Sequence, residues 1–114
     1  MFSAALPRAE ALKLKKPELV ARLRFCPTAE SGRTRPIVPG WGCPCAEDKD
    51  AREMWDGWPL LGNATMLPGE SRTVGFVFLS GERAVRIFSS AGRFFLWGRT
   101  FIGEADVVSV NSTD

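Results

Sequence analysis

This chain has no histidine and no tyrosine among its 114 residues. The first absence removes the commonest general base and the commonest metal ligand together. Ser-His-Asp and Cys-His catalysis are therefore excluded. What remains for chemistry is carboxylates, lysines and three cysteines, Cys26, Cys43 and Cys45. An odd cysteine count without a secretion signal argues against a disulfide framework. Cys43-Pro44-Cys45 together with Cys26 supplies three thiolates, one short of a structural zinc site, and no histidine completes the set. The sequence thus predicts no metal and no cofactor. A catalytic site would have to come from Cys43, Cys45, Asp48 or Glu53, and nothing sets a nucleophile beside a base, so no enzyme is expected.

Long apolar runs are also missing. None approaches the roughly 18 residues needed to span a bilayer. Met1 to Leu14 carries Arg8, Glu10 and Lys13 and reads as a tail or short helix, not a signal peptide. The expectation is a cytoplasmic protein with no membrane contact.

Aromatic residues are plentiful, with eight Phe and four Trp, and the length suits one domain with a sizeable core. The net charge is only +2, but it is unevenly spread. Residues 1–36 hold eight basic residues (Arg8, Lys13, Lys15, Lys16, Arg22, Arg24, Arg33 and Arg35) against Glu10, Glu18 and Glu30. Residues 47–56 hold five acids (Glu47, Asp48, Asp50, Glu53 and Asp56) against Lys49 and Arg52. The basic end suits phosphate, whereas the acidic segment reads as solvated surface.

Pro17 stops any helix formed over Ala9 to Lys16. The period then changes to two. Leu19, Ala21, Leu23 and Phe25 fall on one face and Val20, Arg22, Arg24 and Cys26 on the other, which predicts a half-buried strand with arginines outward. Pro27 to Gly32 predicts a turn. Ala46 to Trp55 predicts a loop with at most one helical turn, and a weak strand is expected around Leu60. Leu67-Pro68-Gly69-Glu70 has the pattern of a type II turn. The second half reads entirely as strands: Thr73 to Leu79, Ala84 to Phe88, Arg93 to Trp97, and Phe101 to Val110. Short β-rich runs with turns every 8–12 residues or so indicate an antiparallel sandwich or barrel.

Four motifs narrow this further. They are Ser31-Gly32-Arg33-Thr34-Arg35-Pro36, Gly40-Trp41-Gly42, Met66-Leu67-Pro68-Gly69-Glu70, and Arg93-Phe94-Phe95-Leu96-Trp97-Gly98-Arg99-Thr100. In this order they resemble the third, C-terminal β-barrel domain of elongation factor Tu, a barrel of the translation GTPases, here as a stand-alone domain. The likeness runs from Glu18 to Val110. It implies an all-β, six-or-so-stranded antiparallel Greek-key barrel over residues 18–111, after a tail or short helix at 1–17 and before a short tail at 112–114. In the family this barrel touches the T stem of aminoacyl-tRNA, packs on the GTPase domain and meets the exchange factor. The phosphate-binding and guanine-reading segments of the GTPase domain are missing, so no GTP binding is implied.

The departures fall on the tRNA-facing surface. Arg33 is kept, but the family's next basic residue is Thr34, its tip arginine is Trp97 and its "Gly-Tyr-Arg" arginine is Gly42. The resemblance therefore implies a non-catalytic protein-interaction adaptor linked to translation. The alternative is a module for tRNA or structured RNA using the Arg33/Arg35 loop. The candidate contact residues are Arg22, Arg24, Arg33, Arg35 and Arg99, suited to phosphate, with Trp41 and Trp97 suited to stacking on unpaired bases. Trp41, together with Trp55 and Trp58, also reads as core or partner packing.

Overall fold

The structure, a computed structural model, describes residues 8–111. The expected tail at 112–114 and the first seven residues of the expected N-terminal segment lie outside the described residues. The elements run α1 (Arg8–Lys13), β1 (Leu19–Phe25), α2 (Thr28–Ser31), β2 (Cys43–Ala46), β3 (Trp55–Leu60), β4 (Ser71–Phe78), α3 (Glu82–Ala91), β5 (Arg93–Trp97) and β6 (Phe101–Val110). Among the described residues, no helix is long and apolar enough to cross a membrane.

The six strands close into an antiparallel barrel in the order β1-β4-β3-β2-β5-β6. Three consecutive strands, β2 to β4, pair as neighbours, and β1 lies beside β4 after a long connection, which is a Greek key. β1 pairs with β4 on one side (Ala21↔Val74) and with β6 on the other (Phe25↔Gly103). It follows the predicted alternation: Leu19, Ala21, Leu23 and Phe25 are buried, and Arg22 is exposed. With every barrel strand paired on both sides, the sheet presents no long open edge.

Phenylalanine fills the interior. Phe94 stacks on Phe88 at 4.7 Å between ring centroids and meets Phe76 edge-on at 4.9 Å and Phe78 at 5.7 Å. Stacked and edge-to-face arrangements of this kind add to the burial of apolar area.

The expected strand Ala84–Phe88 is a helix. α3 spans Glu82–Ala91 and plugs one end of the barrel. A period of two would place Ala84, Arg86 and Phe88 on one face. A helical period instead gathers Ala84, Val85 and Phe88, which are all buried, and leaves Arg83 and Arg86 exposed. Arg86 pairs with Glu82 one turn back at 3.0 Å. Gly92 closes the helix in the left-handed conformation (φ 79°), donating its N–H to Phe88 O at 2.9 Å, a geometry that glycine adopts without steric cost. A five-residue apolar-rich run carries both periods, and the packing surface at the barrel mouth selects the helix.

One smaller difference lies in the loops. Residues 28–31 form the single-turn helix α2 where only a turn was expected. The segment between β2 and β3 is a loop, as expected, with one turn in which Ala51 N donates to Asp48 O at 3.3 Å and Asp50 N donates to the Asp48 carboxylate at 2.8 Å.

The Leu67–Glu70 turn forms as predicted, with Glu70 N on Leu67 O at 3.0 Å and Gly69 at φ 90°. The Glu70 carboxylate accepts the Leu67 N–H at 3.1 Å and pairs with Arg72, which also donates to Ala64 O and Thr65 O. The Leu67 N–H first, then Arg72, holds the Glu70 carboxyl below the usual carboxylate range. A depressed folded pKa gives stability that is present above the unfolded value and lost as pH falls through the folded one. Replacing Glu70 with Gln is therefore expected to flatten the acid limb of stability, read as the urea midpoint against pH. Phe94→Ala should lower the unfolding free energy by about 3–5 kcal/mol in urea, from lost transfer energy and the cavity left among the three rings.

Candidate functional site

The antiparallel seam between β1 and β6 sets the site. It places the end of β1 beside the start of β6, with Phe25 opposite Gly103 and Cys26 N on Ile102 O at 2.9 Å. The chain leaving β1 therefore meets the turn entering β6. Between them lies a groove of about 510 Å³ bordered by residues 31–35 on one side and 98–100 on the other, with Ile102 at its base.

Local hydrogen bonds shape the first wall. α2 ends at Gly32 with φ 77°, a left-handed position that lets the chain double back after one helical turn. The Thr28 hydroxyl donates to Arg33 O at 2.8 Å, and Arg33 N donates to the buried Ser31 hydroxyl at 3.1 Å. Thr100 ties the second wall to the first, its hydroxyl donating to Ser31 O at 2.9 Å.

The arginines divide into two roles. Arg33 folds inward along its own loop. Its Nε donates to Arg35 O at 2.9 Å and its Nη2 to Pro36 O at 3.4 Å. Its guanidinium lies 5.4 Å from the Trp41 ring and 5.8 Å from Phe25. Burial first, and then the neighbouring charge of Arg35, lowers its pKa from the usual value. Arg33 thus organises the loop as much as it charges it. Arg35 and Arg99 are exposed, one on each wall, and neither has an acidic partner among the described residues.

The other sequence candidates stand apart from the groove. Arg22 points outward from the middle of β1. Arg24 is committed to Glu30 at 2.5 Å, with Glu104 at 4.0 Å, and the hydrogen bond to Glu30 raises its pKa. Trp41 is half-buried beneath Arg33 and packs on the core. Trp97 is half-buried with its ring 5.8 Å from Phe101, and its indole N–H is shut off from solvent without a partner among the described residues.

Sequence reasoning missed the Thr100 tether, because its partner lies 69 residues away. It also missed Lys49, which sits over the Phe101 ring at 4.2 Å.

None of the cysteines lines the groove, and all three are buried and free. The hydrogen bond to Cys43, together with burial, holds the Cys45 thiol well above its usual pKa, and burial raises that of Cys26. Among the described residues, no group of three or more Cys, Asp or Glu is placed to hold a metal.

Arg33→Met keeps a long apolar stem against Trp41 but removes the donors to Arg35 O and Pro36 O. The expected result is faster amide exchange over residues 32–36 and altered tryptophan fluorescence, with the global unfolding midpoint nearly unchanged. No protein-family model and no curated protein matches this chain.

Proposed function

We propose that this chain is a non-catalytic binding module for structured RNA, with the groove between residues 31–35 and 98–100 as its contact. One observation carries the reading. Arg35 and Arg99 stand on opposite walls of a single groove, exposed and unpaired among the described residues. Two guanidiniums across a groove suit adjacent phosphates of a backbone, which they engage with paired N–H donors. Arg33 adds positive charge behind them and holds the loop in place.

The motif order supports the same reading through its resemblance to the elongation factor Tu C-terminal barrel. The Ser31–Pro36 loop and the Gly98-Arg99-Thr100 turn are the resembling motifs, and here they face each other. All three thiols are buried, and the pKa values of Cys26 and Cys45 are raised by their surroundings, which makes those two poor nucleophiles and favours binding over catalysis.

A protein adaptor linked to translation is the second reading. All four tryptophans are half-buried, so an aromatic patch does not support it. What favours it is a separate groove beneath α1, with Leu79 exposed at its border.

The test is binding of a structured RNA such as bulk tRNA. With two or three phosphates engaged, the logarithm of affinity should fall with the logarithm of salt at a slope of about −2 to −3. Arg35→Glu with Arg99→Glu should remove binding at low salt while leaving the unfolding midpoint in place, because both side chains are exposed. Unchanged affinity in the double variant would rule out this groove as the contact.

A further inference from the structure

A second groove shares no lining residue with the first. α1 lies across the outer face of β3 and β4, where Trp58 pairs with Val77, and leaves a cleft of about 670 Å³. Trp58, Val77 and Leu79 make its apolar side, and Leu79 is 74 % exposed. Lys15 and Lys16 border it together with Arg8, whose guanidinium lies 5.3 Å from the Trp58 ring, and none of the three has an acidic partner among the described residues. Glu18, the one acid in the lining, is engaged by the Phe78 N–H at 2.7 Å.

We propose that this cleft receives the 47–54 loop of a second copy of the chain, in a two-fold dimer. The loop carries the opposite net charge, with Glu47, Asp48, Asp50 and Glu53 against Lys49 and Arg52. Glu47, Asp48 and Asp50 are exposed and pair with no cation among the described residues. Met54, at its end, is 47 % exposed and supplies an apolar side chain for the Trp58–Leu79 side. The placement suits reciprocity. The loop enters β3 just before Asp56, whose carbonyl accepts the Leu79 N–H at 2.9 Å, so loop and cleft border each other at one end of the barrel. A two-fold axis near that border sets each loop into the other copy's cleft, giving a closed, self-complementary interface. The concave shape does not suit a flat lipid surface, and the neighbouring acids repel nucleic-acid phosphate.

Sedimentation velocity of the whole chain tests this. The wild type should form dimers at high concentration and low salt and dissociate as the Debye length shrinks. Lys15→Glu with Lys16→Glu, and separately Glu47→Lys with Asp50→Lys, should each raise the dimer dissociation constant roughly tenfold or more, because like charges then face each other. All four positions are exposed and outside helices and strands, so far-ultraviolet circular dichroism should be unchanged. An equimolar mixture of the two variants should recover the dimer, since both interfaces become complementary again. A wild type that stays monomeric, a dimer indifferent to either pair, or a mixture that remains monomeric would overturn the proposal.

Discussion

The pairing of β1 with two partners governs this structure. β1 bonds to β4 along one side and to β6 along the other, and so converts a sheet into a closed barrel. Its inward residues, Leu19, Ala21, Leu23 and Phe25, then line the same interior as Phe76, Phe78 and Phe94. α3 closes the mouth by adding Phe88 to that cluster. The seam also decides what lies at the barrel's end. Because β1 and β6 run antiparallel, the loop leaving one must meet the turn entering the other, and the arginines on both arrive at one groove.

Within the groove the balance between burial and solvation separates the arginines. Arg33 gives up part of its hydration, which lowers its pKa, and gains two backbone carbonyls and two ring faces. Arg35 and Arg99 stay exposed, with no acidic partner among the described residues. Arg24 is paired with Glu30 and adds no free charge to the groove.

The barrel was legible where one physical signal dominated. The period-two pattern of β1 admits a single burial assignment. Pro68-Gly69 dictates its turn, and the apolar run of β4 demands a central strand. α3 was missed because the five residues Ala84 to Phe88 taken alone admit a short strand; the helical grouping of Ala84, Val85 and Phe88, the Glu82–Arg86 pair and the Gly92 cap emerge only over residues 82–92. At the site, the loop of Arg33 and Arg35 was identified from its residues, but their division of labour was not. That division depends on Trp41 and Phe25 lying beneath Arg33 and on Thr100 reaching Ser31 across 69 positions. Such contacts exist only after the seam has closed.

The most direct test of the proposed role is a nuclear magnetic resonance titration of the labelled protein with a short RNA hairpin. If the groove is the contact, the largest shift changes fall on the amides of Gly32, Thr34, Arg35, Gly98, Arg99 and Thr100, and they fade as salt is added. Shifts centred on another face, or none at the highest RNA concentration, would contradict it.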